Sequence, residues 1–191
     1  MDKLLINFFG CPHSGKTTIM SGVYTLLKLH DIKCEMANDY PKEIMFEHRL
    51  SLLDKQYYIF SKQLKRIEDI YALTDIVLTD SPVLINLIYN KEKNENKTLY
   101  PLVIEAHNRF NNVNFFIQRT RPIAYGFFKL KSESEIRQIE EDIKRMLCSF
   151  NHVTFQQKPE TINLIFAEVA RLFQINILWQ IGGQNEQVPQ Y

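Results

Sequence analysis

Gly10, Gly15, Lys16 and Thr17 stand at the spacing G-x-x-x-x-G-K-S/T, inside the segment "FFGCPHSGKTT" that runs from Phe8 to Thr18. Glycines at those two positions let successive backbone N–H groups converge on phosphate oxygens, and a following helix aims its positive end at the same point. The run Gly10, Cys11, Pro12, His13, Ser14, Gly15, Lys16, Thr17 and Thr18 is therefore expected to bind the phosphates of ATP. Lys16 would reach the β- and γ-phosphates, and the Thr17 hydroxyl would ligate Mg²⁺. Asp80 closes the apolar run Ile76–Leu78, at the edge where a parallel strand delivers side chains to a ligand. A carboxylate there can hold Mg²⁺ or its waters, or cap the turn before Ser81-Pro82.

Transfer of a phosphoryl group needs more: a base at the acceptor hydroxyl, groups that hold the acceptor, and cations for the charge in flight. Asp39 ends the segment "DIKCEMAND" and can accept a hydroxyl proton, or serve as the N-cap of the helix that begins "YPKEI". Gln63 and Arg66 lie three apart on one helix face. An amide can read a base edge and a guanidinium can hold an oxyanion, although both residue types also occur as plain solvated surface. Tyr40 can stack on a ring or cover the core. Arg119, Arg121, Lys129 and Lys131 crowd the breaker-rich stretch "RTRPIAYGFFKLK". Such a stretch reads as a lid over phosphates, about residues 119–133, or as a basic surface loop.

These residues must be positioned by strands and helices in alternation. Lys3–Phe9, "DIKCEMAND", "DIVLTDSP" and "NVNFFIQR" read as four strands, the first and third apolar enough to be buried on both faces. A short fifth strand is expected around "HVTFQ". Helical spacing follows the phosphate loop through about His30, continues over 43–73 as one largely helical stretch, and returns near Tyr100–Phe110 and Glu160–Phe173. Ser134–Phe150 carries Ile136, Ile139, Ile143 and Leu147 on one stripe. "NKEKNENK" (Asn90–Lys97) reads as a solvated loop, and residues 182–191 as a tail that is frayed or tied down by a partner. The order predicts an α/β fold: a P-loop three-layer sandwich around one five-stranded parallel sheet, residues 1–191 forming a single domain.

The 191 residues hold 23 basic and 22 acidic side chains, a net charge of +1, so no bulk field steers a polyanion. That weakens a general nucleic-acid-binding role and leaves room for a local basic cleft. Cys11, Cys34 and Cys148 form no C-x-x-C pair, which argues against a metal or disulfide framework and for a reducing compartment. Cys11 is a candidate reactive thiol by its place in the loop, or plain filler. No apolar run approaches the roughly 20 residues of a membrane span, and a strand begins too early for a signal peptide. A cytoplasmic protein without membrane partners is expected. Guanine specificity through Asn-Lys-x-Asp is missing after the fourth strand, which ends "FFIQRTRP", so a GTPase is disfavoured.

The segments "INFFGCPHSGKTT", "ANDYPKE", "DKQYYIFSKQLKR", "DIVLTDSP", "NVNFFIQRTRP" and "EIRQIEEDIKRML" resemble a family of small phage-type P-loop kinases. That family is nucleoside/nucleotide kinase-like and is related to nicotinamide-riboside kinase-like domains and to phage 5-hydroxymethyluracil DNA kinases. The resemblance runs from the first strand to about Leu147. It implies a five-stranded parallel core, ATP with Mg²⁺, and phosphoryl transfer to a nucleoside-like hydroxyl. By position the family's acidic residue falls on Asp39 and its Gln-x-x-Arg on Gln63 and Arg66. Two departures stand out: Gly126-Phe127 replaces the Gly-Arg pair of related lids, and His13 stands where the loop often has glycine. The expected acceptor is a nucleoside or nucleotide; a modified pyrimidine in DNA, flipped out of the duplex, is the alternative acceptor. An ATPase or switch module without an acceptor is the rival from another class. A homodimer is compatible with all three.

Overall fold

The protein is described by a computed structural model covering residues 3–92, 97–120 and 132–174. Five strands form one parallel sheet: β1 (Leu4–Phe9), β2 (Cys34–Ala37), β3 (Ile76–Thr79), β4 (Asn112–Gln118) and β5 (Val153–Gln156). Their order across the sheet is β2-β3-β1-β4-β5. The helices are α1 (Lys16–Leu29), α2 (Tyr40–Phe46), α3 (Gln56–Leu73), α4 (Ile85–Glu92), α5 (Leu99–Asn108), α6 (Glu133–Leu147) and α7 (Thr161–Leu172).

Alternation along β1 builds the three layers. Leu4, Ile6 and Phe8 pack with Ile19, Met20, Val23 and Leu27 of α1 and with Ile165, Phe166 and Val169 of α7. Leu5 and Phe9 face the other way, onto Ile67 of α3, Val103 of α5 and the Ile136–Ile139–Ile143–Leu147 stripe of α6. Both faces of the sheet are thus covered, as its continuous apolar strands require. Buried Asn7 breaks the apolar pattern of β1, and its side-chain amide donates to Asn112 Oδ1 at 2.9 Å and Asn114 Oδ1 at 3.0 Å across the ladder. At α6, Ser132 and Glu135 form a complete capping box, so the helix starts at Glu133, one residue before the expected boundary.

Register places the functional ends. Ala37 pairs with Thr79, and Thr79 with Asn7. One residue past Thr79 is Asp80, two past Ala37 is Asp39, and Gly10 follows Phe9. Three candidate residues from distant parts of the chain therefore emerge at one carboxyl edge of the sheet, where open α/β sheets bind ligands.

The stretch 43–73 is not one helix. His48 adopts a left-handed φ of 56°, closing α2, and a 3-10 helix spans Leu50–Asp54 before α3 begins. The break lets Leu52 and Leu53 fold back onto Tyr40, Ile44 and Ile59. A short helix, α4, occupies the stretch after Pro82 that carried no sequence expectation and runs into the start of the expected Asn90–Lys97 loop. Leu29 and Leu73 are solvent-exposed at the ends of their helices.

Candidate active site at the carboxyl edge of the sheet

Between β1 and α1 the phosphate loop is held by its glycines. Gly10 has φ +152°, and a Cβ there would lie 2.4 Å from Ser14 Oγ and 2.7 Å from the Ile117 carbonyl oxygen. Since that carbonyl belongs to the middle of the sheet, only glycine fits without moving backbone. His13 takes a left-handed φ of 63°, the conformation a glycine would supply without strain. Burial, then the charges of Lys16 and Arg119, push its imidazole pKa down. The ring therefore stays neutral beside the cations that a phosphate would meet.

The Lys16 ammonium is enclosed and donates to the Cys11 carbonyl at 2.9 Å. Burial lowers its pKa, with Asp80 opposing that shift. The Thr17 hydroxyl donates to Asp80 Oδ2 in a short contact. Lys42 from the first turn of α2 donates to Thr17 Oγ1 at 2.8 Å and to Asp80 Oδ2 at 3.1 Å. Asp80 Oδ1, Ser14 Oγ and Gln157 Oε1 are buried polar atoms without a hydrogen-bond partner among the described residues. Gln157 follows β5 and lies against Gly15, whose added Cβ would meet its amide nitrogen at 2.7 Å. Three unsatisfied oxygens around one glycine loop are what a bound polar ligand would resolve. The hard oxygens of Thr17 and Asp80, one still unpartnered, fit a magnesium ion.

Asp39 sits at the N-cap position of α2, yet its side chain makes no capping hydrogen bond. Its carboxyl is partly buried, and burial followed by the negative charge of Asp80 raises its pKa to about 6, against the opposing charges of Lys42 and Lys16 and a hydrogen bond with Ser81. A carboxylate tuned toward neutrality and not spent on capping the helix is suited to proton transfer.

The expected acceptor contacts are committed elsewhere in this structure. Gln63 is fully buried; its carbonyl accepts from the Tyr40 N–H at 3.0 Å and its amide donates to Thr79 Oγ1 at 3.4 Å. It falls within the inward stripe Gln56, Ile59, Phe60, Gln63 and Ile67 of α3. Replacing it with leucine, Gln63→Leu, leaves the Tyr40 N–H unsatisfied, so a destabilisation of about 1–3 kcal/mol is expected, read as a lower denaturant midpoint at constant slope. Arg66 binds Glu43 at 2.7 Å and the Asn38 carbonyl at 2.9 Å, and its guanidinium lies 5.5 Å from the centre of the Tyr40 ring. The Tyr40 hydroxyl meets that of Tyr58 at 2.9 Å. These residues brace the β2–α2 turn that carries Asp39.

Arg119 follows β4 and is mostly buried, ion-paired through its guanidinium with Glu133 at the start of α6. It is near enough to the loop to act electrostatically on Cys11 and His13. Arg121, Lys129, Lys131 and the Gly126-Phe127 pair lie outside the described residues, as does the 182–191 tail. The Cys11 thiol is buried and donates to Glu140 Oε2 at 3.4 Å, and burial pushes its pKa up to about 11. It is a packed thiol, not a nucleophile. Cys34 is likewise buried with its pKa raised to about 11 by burial, whereas Cys148 at the end of α6 is exposed.

Two groups at this edge carried no sequence expectation. Lys42 is one. The other is the buried pair Gln56 and Asn86, in which the Gln56 amide donates to Asn86 Oδ1 and the Asn86 amide donates to the Val83 carbonyl at 2.8 Å. Gln56 lies seven residues before Gln63 on the same face of α3, about 10 Å along the helix axis. Gln63 is level with the end of β3, so Gln56 stands above the sheet edge. An i, i+7 polar pair inside an apolar stripe was the signal for it.

No family model matches the chain, and no curated protein matches it. Solved structures do share its fold. The NadR protein in complex with NR superposes with a TM-score of 0.71 and 16% identity over 95% of this chain and 54% of NadR. NadR in complex with NAD and AMP-PNP gives 0.65 and 15% over 93% and 51%. Thymidylate kinase from Ehrlichia chaffeensis gives 0.61 and 13% over 91% of this chain and 100% of that enzyme. The chain spans about half the length of NadR. Five parallel strands, helices on both faces and a glycine loop between β1 and α1 make this an α/β three-layer P-loop fold, shared with those structures. Among the described residues no helix is long and apolar enough to cross a membrane.

Proposed function

We propose that the protein is an ATP-dependent kinase that transfers the γ-phosphoryl group to a hydroxyl of a nucleoside or nucleotide. The observation that carries this is Asp39: a carboxyl with no capping bond and a pKa raised to about 6, beside the Thr17–Asp80 pair and the phosphate loop. A switch that only binds nucleotide needs the loop and the metal pair, but has no use for a second tuned carboxyl beside them. In a hydrolase the same carboxyl would act on water, and the labelling test below separates the two. The names of the structural neighbours, NadR with NR and thymidylate kinase, support the same class of acceptor.

In this reading the loop N–H groups and Lys16 hold the β- and γ-phosphates. Thr17 and Asp80 would hold a magnesium ion, which would supply positive charge beside the phosphates. Asp39 takes the acceptor's hydroxyl proton as that oxygen bonds to the γ-phosphorus; the bond from phosphorus to the β–γ bridging oxygen breaks, and ADP leaves. Arg119 holds positive charge at the edge of the loop, and Arg121 is proposed to add to it.

The test follows labelled γ-phosphate with Mg²⁺ against nucleosides, nucleoside monophosphates, nicotinamide riboside, plain DNA and hydroxymethyluracil-containing DNA. Label on a nucleoside or nucleotide is the expected result. Label on modified DNA alone moves the acceptor to a base within a duplex. Release only as free phosphate overturns the kinase reading in favour of an ATPase or switch.

A further inference from the structure

Lys42 is the third residue of α2 and follows Asp39 by three positions. Its ammonium bridges two oxygens from different elements, Thr17 Oγ1 of α1 at 2.8 Å and Asp80 Oδ2 after β3 at 3.1 Å. These are the two oxygens whose chemistry fits a divalent ion, and Asp80 is almost fully buried while its second oxygen lacks a hydrogen-bond partner. The ammonium therefore lies at the position a divalent ion would take. Two cations cannot share one hydroxyl and one carboxylate oxygen at about 3 Å without strong repulsion.

Lys42 is built to leave. Its side chain is 45% exposed, against 3% for Asp80. Its stem is flexible and its head a compact, hydrated point charge. Its root on the first turn of α2 keeps the ammonium within electrostatic reach of both the Asp39 carboxyl and the Lys16 ammonium. The space between those two groups is where, in the kinase reading, the phosphoryl group crosses from loop to acceptor.

We infer that Lys42 is a cation with two stations: it closes the Thr17–Asp80 pair in the free protein, and it moves onto the phosphoryl group in flight when a divalent ion with nucleotide takes that pair. The second station rests on the kinase reading; the first does not. In the first station the ammonium keeps the buried Asp80 carboxylate paired, which an unaccompanied buried charge requires. In the second it adds positive charge only as the nucleotide arrives, where charge spreads over the transferring oxygens. No bond to Lys42 forms or breaks: the γ-phosphoryl group passes from ATP to the acceptor oxygen, ADP leaves, and the acceptor proton goes to Asp39.

The test uses Lys42→Met, Lys42→Gln and Lys42→Arg with two readouts. The first is Mn²⁺ binding to the nucleotide-free protein, followed by the loss of the free-ion electron paramagnetic resonance signal. The second is turnover at saturating Mg-ATP and acceptor. Lys42→Met and Lys42→Gln are expected to bind Mn²⁺ roughly tenfold more tightly than wild type, because the competing charge is gone. Both are expected to lose about 10²-fold in turnover with the nucleotide dissociation constant little changed, and Lys42→Arg to recover part of it. Lys42→Gln retains a donor for Asp80, so a folding defect confined to Lys42→Met does not obscure the result. Unchanged Mn²⁺ affinity in a folded Lys42→Gln overturns the first station, and unchanged turnover overturns the second. Tighter Mn²⁺ binding in a protein whose wild type labels no acceptor removes the second station together with the kinase reading and leaves the first in place.

Discussion

Lys16→Ala is expected to abolish measurable phosphoryl transfer, a fall of at least about 10³-fold, while leaving the fold as stable as before or slightly more so. The Lys16 ammonium is enclosed, donates to a backbone carbonyl, and is pushed toward its neutral form by burial. A buried cation in that state weighs against the free protein, and phosphate oxygens are the partners that would relieve it. Removing it takes away nucleotide affinity and transition-state charge stabilisation at the same time. Isothermal titration with a non-hydrolysable ATP analogue and a thermal melt separate the two effects. Lost binding with a melting temperature equal to or above wild type is the expected pair. A large fall in melting temperature would instead mark Lys16 as a structural residue of the β1–α1 turn.

Asp39→Asn is expected to lower turnover by about 10³-fold with little change in nucleotide affinity. In the wild type, activity should rise with pH through about 6, because the base acts as a carboxylate and its pKa is raised to that value. The amide variant should lose that limb of the profile. Stability runs the opposite way. The folded protein holds the Asp39 proton more tightly than the unfolded chain does, between the ordinary value of 3.8 and about 6. The contribution of this group is therefore fully present below that window and is lost as pH rises through it. Asp39→Asn mimics the protonated form, so it should match the wild type at pH 4 and exceed it at pH 8. The gain should be about 1–2 kcal/mol, since solvent reaches part of the carboxyl. Unchanged turnover would reduce Asp39 to a helix-start residue and remove the base from the proposal.

The parts of the site that a linear reading could reach are those set by short-range spacing. Gly10 to Thr18 is one uninterrupted turn between a strand and a helix, and Asp80 is the residue on which an apolar strand stops, so both followed from neighbours in the chain. Strand and helix order followed from hydrophobic period, because both faces of the sheet are covered. The break between α2 and α3 was hidden because it contains no glycine or proline. It exists because Leu52 and Leu53 pack better against Tyr40, Ile44 and Ile59 than a straight helix would allow. Gln63 and Arg66 share a segment but not a direction. Three residues turn a helix by about 300°, which leaves Gln63 in the inward stripe and Arg66 at its margin. Lys42 had no motif to announce it, since its meaning lies in two oxygens 25 and 38 residues away in the chain.

The cysteines decide how this molecule can be watched. Cys11 and Cys34 are buried thiols whose pKa stands at about 11, so at pH 7 roughly one molecule in 10⁴ carries either as a thiolate. Cys148 is exposed, at the far end of the helix whose first residue holds Arg119. A maleimide dye therefore attaches at one place without any engineered mutation, and the phosphate loop keeps its native thiol through the labelling. Polarisation of that dye would report the motion of α6 while substrate is turned over, in the unaltered chain.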